Sequence, residues 1–295
     1  MRRWAVPIVA SLALLGGAFT LLNTGSLYSG AAEARPEVHE YAYGDRPENK
    51  LDLYLPASVA AARPGFAMTP TVVLVHGGSW TRGDKGDMER QAHDLVNAGY
   101  VAVSVNYRLA PEAQWPAQRK DLVNALKWIH THAVDLHVDP KRVVVLGSSA
   151  GGEIAAAALT QGDGSRYARG LITLSAPTDL ALVAQDTTAT DESTELAVTV
   201  TRDLLGCAPQ DCETDFESQS VFNSIDRRDP PSLLFASQNE WVDPQSSIRF
   251  YQVSLAEGVP SRLVTFPGRR HGSAYWRVAW PTIQEWLTER MAAST

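Results

Sequence analysis

Residues 143–154 read VVVLGSSAGGEI. An apolar run rich in β-branched residues, typical of a buried strand, stops at Gly147, and a run suited to a helix begins at Ala150. The pattern Gly-x-Ser-x-Gly lies across this turn, and such a turn holds the backbone of its central serine in a strained conformation. The sequence therefore predicts a strand, a sharp turn and a helix, with the hydroxyl of Ser149 exposed at the carboxyl end of a central strand.

The same five residues also fit a glycine-rich helix start that serves close packing alone. The strand before the turn and the helix after it favour a nucleophile instead. In that geometry the backbone N–H of Ala150, at the N-terminus of the helix, can bind an oxyanion. Larger side chains at Gly147 and Gly151 would collide with the neighbouring strand and helix.

Strands and helices alternate along most of the chain, which predicts an α/β fold with a mainly parallel central sheet and helices on both faces. An antiparallel hairpin of Val38–Tyr43 and Leu51–Leu55 is expected at a sheet edge. The predicted central strands are Thr71–Val75, Tyr100–Val105, Arg142–Leu146, Gly170–Leu174, Ser232–Ala236 and Arg262–Phe266. The predicted helices, besides the one after the turn, are Met88–Asn97, Gln118–Ala133, Ser247–Ala256 and Pro281–Met291.

A His-Gly-Gly sequence, His76-Gly77-Gly78, directly follows the strand Thr71–Val75. Glycine lets the backbone approach a substrate closely. The N–H groups of Gly77 and Gly78 are therefore candidates to complete an oxyanion hole with that of Ala150. The alternative is an ordinary glycine turn.

The candidate base is His271, the last of seven histidines. It follows the last predicted strand, Arg262–Phe266, in a loop that contains Pro267 and Gly268. His130 and His132 lie two positions apart on a predicted helix, so they face different sides and make a poor metal pair. No metal site is expected.

The chain resembles secreted esterases of the α/β-hydrolase superfamily, near the hormone-sensitive-lipase-like and feruloyl-esterase-like bacterial carboxylesterases. The matching motifs follow the family's order over nearly the whole chain after the leader. They are LDLYLP at 51–56, HGGSW at 76–80, GDK at 83–85, NYRLAP at 106–111, GSSAGG at 147–152, DPP at 229–231, GVP at 258–260, and Pro267-Gly268 leading to His271-Gly272.

The acid of the triad is left open between two residues by this resemblance. Relatives carry His-Gly-x-x-Asp and then x-Val-x-Pro, and aligning Val242 and Pro244 puts Glu240 on the family's aspartate. Asp243 is the alternative. The chain departs from the family here, because Ala236-Ser237 replaces His-Gly and glutamate replaces aspartate; Ser148, before the nucleophile, is a further departure.

The resemblance implies a serine carboxylesterase that hydrolyses small-molecule esters through an acyl-enzyme and needs no metal or organic cofactor. An amide or formamide hydrolase on the same scaffold is an alternative, since some relatives cleave those bonds. A third hypothesis is a non-catalytic binding protein, which would be expected to lack the serine, the base or the glycine loop.

Composition limits the partners. The 295 residues are 44% hydrophobic, enough for one large core, and the formal net charge is -7. No Lys/Arg run exceeds two residues, so nucleic acid is not an expected partner. Residues 177–217 hold ten carboxylates against the single Arg202. We expect this segment to be an acidic insertion near the active site, partly helical around Glu195–Leu205.

The first 34 residues have the pattern of a targeting segment. Arg2 and Arg3 precede an apolar run, which is followed by small residues. We expect a signal peptide, or else an uncleaved membrane anchor, at 1–34 and an α/β-hydrolase domain at 35–295. The protein is then exported, periplasmic or secreted. Cys207 and Cys212 suggest one local disulfide, with two free thiols as the alternative.

Overall fold

The computed structural model describes residues 36–63, 65, 68–185, 191–207, 211 and 220–292. The described residues from Pro36 onward belong to one compact unit, Arg35–Thr295. Its strands form an eight-stranded sheet in the order β1-β2-β4-β3-β5-β6-β7-β8. The strands are β1 Glu37–Ala42, β2 Lys50–Leu55, β3 Thr69–Val75, β4 Val101–Val105, β5 Val138–Ser148, β6 Gly170–Leu174, β7 Ser232–Ser237 and β8 Ser261–Phe266.

The central strands are buried on both faces, which is why they read as continuous apolar runs in the sequence. In β3, Val72 and Leu74 point into one core cluster and Val73 and Val75 into the other. This alternation is the two-residue period of a strand. A predominantly hydrophobic sheet of this kind needs helices on both faces to exclude water.

Eight α-helices lie in the described part of the chain. They are α1 Ala57–Ala60, α2 Glu89–Asn97, α3 Ala117–Thr131, α4 Ala150–Thr160, α5 Leu180–Gln185, α6 Asp191–Val198, α7 Gln245–Ala256 and α8 Trp276–Met291. Buried residues of α3, α4 and α7, such as Leu122, Ile154 and Phe250, pack in one cluster. Those of α2 and α8, such as Leu95 and Ile283, pack in the other. The prediction of helices on both faces is confirmed.

The topology brings four loops to one edge of the sheet. Strand β5 lies between β3 and β6, and β7 and β8 continue the sheet in parallel. Because parallel strands end at the same edge, the segments after β3, β5, β7 and β8 meet there. Those segments carry Gly77, Ser149, Glu240 and His271.

The predicted hairpin is confirmed, since β1 pairs with β2 antiparallel. The prediction for the last helix was wrong at its start, because α8 begins at Trp276 and contains Pro281. The buried indole of Trp276 donates to Asp94 Oδ2 at 2.7 Å. This tertiary packing extends the helix on the N-terminal side of Pro281, which the sequence suggested as the first residue of the helix. Strand β5 likewise begins at Val138, earlier than predicted, and Pro140 lies within it.

The acidic insertion is partly helical, as predicted. It contains α5, α6 and a π-helical segment, Thr199–Leu205. Arg202 pairs with the neighbouring Asp203, and Arg249 of α7 pairs with Asp179. Cys207 is disulfide-bonded; Cys212, the only other cysteine of the sequence, lies outside the described residues.

The predicted targeting segment at 1–34 also lies outside the described residues. Of the helices that the structure does describe, none is long and apolar enough to cross a lipid bilayer.

Candidate active site

The turn between β5 and α4 has the predicted strained geometry. Ser149 has φ of 52° and ψ of -124°, and its N–H donates to Leu174 O of the next strand at 2.8 Å. A Cβ on Gly147 would lie 2.2 Å from Gly151 O, and one on Gly151 would lie 2.2 Å from His76 O. Both distances are far below contact, so only glycine allows the helix to start this close to the sheet. The predicted collisions are confirmed.

A hydrogen-bonded chain of three side chains runs across the sheet edge. His271 Nε2 lies 2.8 Å from Ser149 Oγ, and His271 Nδ1 lies 2.6 Å from Glu240 Oε2. The other carboxylate oxygen of Glu240 accepts from Ser237 N at 2.7 Å. Because the carboxylate accepts at Nδ1, the neutral imidazole carries its proton there and leaves Nε2 free to accept from the serine hydroxyl.

Glu240, not Asp243, is the carboxylate that contacts His271. Its side chain is 1% exposed. Asp243 accepts from Gln245 N at 2.8 Å, at the start of α7. A carboxylate in that position satisfies a backbone N–H of the first turn of the helix.

The loop that carries His271 is held by three side chains that the sequence analysis did not identify. Ser175 Oγ accepts from Gly272 N at 2.9 Å, and Ser148 Oγ accepts from Ser273 N at 3.1 Å. Tyr275 OH lies 2.8 Å from Ser175 Oγ and donates to Phe235 O. The departure from the family at Ser148 was the one available signal, and it marks a contact to the histidine loop.

Trp241 packs on the imidazole, with ring centroids 4.2 Å apart. The tryptophan directly follows Glu240, so one short segment supplies both the carboxylate and an aromatic surface beside His271. These contacts restrict the imidazole to one orientation. No local sequence pattern indicated a role for Trp241.

The glycine loop after β3 lies against the serine. A Cβ on Gly77 would be 2.9 Å from Ser148 O and 3.2 Å from Ser149 Cβ. Gly78 has φ of 117°, and its carbonyl accepts from Thr81 N and Arg82 N. Within the described part of the chain, the N–H groups of Gly77, Gly78 and Ala150 donate to no protein acceptor. Backbone N–H groups without a partner beside Ser149 are suited to bind an anionic oxygen.

His76 holds this loop in place. It is fully buried, stacks on Tyr107 with ring centroids 4.3 Å apart, and its Nδ1 contacts Gly77 O at 2.7 Å. Tyr107 OH donates to His76 O at 3.0 Å. Burial lowers the pKa of His76 and keeps its ring neutral. A neutral histidine within the protein suits a structural role better than proton transfer.

A cavity of about 480 Å³ opens over Ser149. A second one, of about 250 Å³, shares Ser79, Arg82 and Trp241 with it and is also lined by Glu192 and Glu195 of α6. The acidic insertion therefore borders the site, as predicted. Among the residues the structure describes, no group of three or more His, Cys, Asp or Glu side chains is arranged to hold a metal ion.

Comparison with known families agrees with this architecture. A family model described as BD-FAE matches residues 51–253, more than half of the chain. The chain belongs to the BD-FAE family. The matched range of this BD-FAE protein contains the glycine loop, the turn at Ser149 and Glu240, and it ends before His271.

Curated relatives match over shorter stretches. The carboxylesterase NlhH of Mycobacterium tuberculosis is 47% identical over 89 residues, which are 30% of this chain and 28% of NlhH. Isoprenylcysteine alpha-carbonyl methylesterase ICME of Arabidopsis thaliana is 31% identical over 163 residues, 54% of this chain and 35% of the relative. The BD-FAE chain thus spans about a third, or less, of the length of these relatives.

Solved structures share the fold. A truncated carbohydrate esterase from gut microbiota superposes with a TM-score of 0.75 at 20% identity, covering 88% of this chain and 98% of that one. An esterase of the archaeon Pyrobaculum calidifontis gives 0.72 at 23% identity, covering 88% and 87%. At these identities the likeness concerns the fold alone, and the predicted α/β-hydrolase fold is confirmed.

Proposed function

We propose that this protein is a serine carboxylesterase, with Ser149 as nucleophile, His271 as base and Glu240 as the acid that orients the base. The observation that carries the proposal is the hydrogen-bonded chain from Ser149 through His271 to Glu240. Membership of the BD-FAE family and the carboxylesterase and esterase names of its relatives support the same reaction. We further propose that Gly77, Gly78 and Ala150 form the oxyanion hole.

The first half of the reaction is acylation. His271 Nε2 takes the proton from Ser149 as Oγ attacks the ester carbonyl carbon. The carbonyl oxygen becomes an oxyanion, which the N–H groups of Gly77, Gly78 and Ala150 bind. Loss of one such donor typically lowers the rate by about 10²–10³-fold. Glu240 stabilises the imidazolium that forms, without itself taking the proton.

Departure of the alcohol ends acylation, and attack by water begins deacylation. The imidazolium gives its proton to the leaving alcohol as the bond from the acyl carbon to the alcohol oxygen breaks, and the carbonyl re-forms as an acyl ester on Ser149. A water molecule then gives a proton to His271 Nε2 and attacks the acyl carbon. Collapse of this second oxyanion breaks the bond to Ser149 Oγ, which recovers the proton from His271 and releases the carboxylic acid.

The experiment is hydrolysis of p-nitrophenyl acetate and butyrate by the purified protein. We expect turnover by the wild type, no turnover above background by Ser149→Ala, and wild-type turnover by Ser165→Ala, a serine on the 3-10 helix Asp163–Tyr167. A fluorophosphonate probe should add one mass label to wild type and none to Ser149→Ala. An inactive wild type, or an active Ser149→Ala variant, would contradict the proposal. Matched anilide and formamide substrates test the amidase alternative, which faster amide cleavage would favour.

We also propose that residues 1–34 direct export, as a signal peptide or an anchor. The proposal rests on the charge and hydropathy pattern of the segment. The disulfide at Cys207 supports it, because disulfides persist in oxidising compartments. Cell fractionation and N-terminal sequencing of the expressed full chain test this. A soluble cytoplasmic protein with an intact N-terminus would contradict export.

A further inference from the structure

One fully buried carboxyl group has no part in the proposed reaction. Glu153 lies on α4, one helical turn after Ser149, and is 0% exposed. Its Oε2 accepts from Trp80 Nε1 at 3.1 Å, and its Oε1 has no hydrogen-bond partner within the described residues. Burying a carboxyl group with a single partner is unfavourable, so its position calls for an explanation.

The partner of Glu153 belongs to the glycine loop. Trp80 follows Gly77 and Gly78 by two to three residues, and its side chain is fully buried. Ser79 and Trp80 both have positive φ, 50° and 61°. Two consecutive left-handed residues other than glycine cost on the order of 1–3 kcal/mol each and persist only where surrounding contacts hold them.

The loop and the start of α4 form the two halves of the proposed oxyanion hole. They touch at Gly151, where a Cβ would lie 2.2 Å from His76 O. From His76 to Gly83, the only side-chain hydrogen bond that joins the loop to α4 in the described structure is the one between Trp80 and Glu153. It therefore ties the segment with the Gly77 and Gly78 amides to the helix that begins with the Ala150 amide.

We propose that Glu153 is a positioning residue that, through the indole of Trp80, holds the amides of Gly77 and Gly78 in register with the amide of Ala150. The inference rests on the proposed function. Oxyanion-hole contacts form mainly in the transition state. Loosening the link should therefore lower kcat and leave KM nearly unchanged.

The hydrogen bond needs an acceptor oxygen but no negative charge. Burial raises the pKa of Glu153 to about 8, so the group is mainly neutral at pH 7. Glutamine has nearly the same shape and can present its amide oxygen to the indole N–H. Leucine has a similar volume but no acceptor. Glu153→Gln and Glu153→Leu thus separate the hydrogen bond from simple filling of space.

The test is steady-state hydrolysis of p-nitrophenyl acetate at pH 7 by Glu153→Leu, Glu153→Gln and Trp80→Phe. We expect Glu153→Leu and Trp80→Phe to lose about 10- to 100-fold in kcat, the size of effect that a displaced catalytic group produces, with KM within about 3-fold of wild type. Glu153→Gln should keep kcat within about 3-fold of wild type. The double variant Glu153→Leu/Trp80→Phe should be no worse than either single change, because both break one link.

Titration with a fluorophosphonate counts the Ser149 sites that react, so kcat refers to folded enzyme. If Glu153→Leu does not fold, Trp80→Phe still tests the link from the other side. Wild-type kcat in Trp80→Phe, or an equal loss in Glu153→Gln and Glu153→Leu, would overturn the inference. Either result with an active wild type and an inactive Ser149→Ala leaves the proposed function standing; an inactive wild type rejects that function first.

Discussion

Two carboxylates three positions apart, Glu240 and Asp243, have different surroundings. Glu240 accepts from Ser237 N and contacts His271, whereas Asp243 accepts from Gln245 N at the start of α7. A carboxylate at Nδ1 holds the base in the tautomer that can accept the serine proton. An amide at the same place can present its oxygen or its NH₂, and so no longer enforces that tautomer or stabilises the imidazolium. Of these two carboxylates, only Glu240 is therefore expected to affect the chemistry.

We predict that Glu240→Gln lowers kcat for p-nitrophenyl acetate by about 10³- to 10⁴-fold, as amide replacement of a triad carboxylate does elsewhere. Asp243→Asn should stay near wild type, because it keeps an oxygen acceptor for the helix N–H. Steady-state rates of the two purified variants check this, and their melting temperatures show whether both are folded as wild type is. Equal losses in both would show that the contact to His271 does not select the acid.

Gly77 is a second residue at which a single added carbon atom, the Cβ of alanine, is expected to lower activity. We predict that Gly77→Ala lowers kcat by about 10²-fold or more, because the new Cβ would push on Ser148 O and Ser149 Cβ and displace the N–H proposed as an oxyanion donor. Gly99→Ala is the control: unlike Gly77, Gly99 has a positive φ, which makes the substitution costly in stability, but its Cβ would meet nothing within 4 Å. The control should lose about 1 kcal/mol of stability and no activity. A fully active Gly77→Ala variant would remove Gly77 from the oxyanion hole.

At the scale of elements, the site depends on how closely α4 starts behind β3 and β5. Gly147 and Gly151 allow this approach, and the buried carboxyl group of Glu153 on α4 contacts Trp80 of the glycine loop. Desolvation is the main cause that raises its pKa, while the hydrogen bond from Trp80 and the charge of Arg119 lower it. Glu153 should therefore contribute to the pH dependence of the stability of the wild type.

The sign follows from proton binding. The pKa of Glu153 is about 8 in the folded protein and near 4.5 in the unfolded chain. Between these values the unfolded chain has released the proton and the folded protein still holds it. Stability contributed by the protonated group is therefore full below about pH 4.5 and is lost as pH rises towards 8.

We predict that the melting temperature of Glu153→Gln minus that of wild type increases between pH 5 and pH 8, because the variant cannot ionise, and stays constant above pH 8. Thermal unfolding of both proteins at several pH values in one buffer system checks this. A difference that stays constant or decreases between pH 5 and pH 8 would mean that Glu153 is ionised in the folded protein.

At the scale of the whole molecule, every candidate site residue lies in the compact unit Arg35–Thr295. Strand β1 is the outermost strand on one side of the sheet and covers β2. The buried Tyr43, just after β1, donates through its hydroxyl to Asn106 O at 2.6 Å. The site is built on β3, β5, β7 and β8, away from that edge. Removing β1 should therefore lower stability without removing any candidate site residue.

We predict that a chain beginning at Arg35 folds and keeps the kcat of the longer chain. A chain beginning at Asn49 lacks β1 and Tyr43, so β2 becomes the outermost strand. This chain should give a lower soluble yield and melt several degrees lower. Expression yield, melting temperature and p-nitrophenyl acetate kinetics of the two truncations check this. Loss of activity in the chain beginning at Arg35 would show that the preceding residues take part in folding or in the site.

Much of the fold could be predicted because its signals are local. The turn at Ser149, the glycine loop after β3 and the position of His271 follow from strand periodicity and from glycines where the backbone must turn or approach closely. The beginning of α8 could not be predicted, since it depends on the contact of Trp276 with Asp94, 182 positions away. A local sequence pattern does not indicate a partner so distant along the chain.

The sequence by itself determined the alternation of strands and helices and the glycine loop, and it indicated a candidate nucleophile, a candidate base and two candidates for the acid. The tertiary structure alone determined that Glu240 contacts His271, that Ser148 and Ser175 hold the histidine loop, and that Glu153 joins α4 to Trp80. The physical reason is range. Periodicity and turn chemistry act over a few residues, whereas these hydrogen bonds join segments that only the order of strands in the sheet brings together.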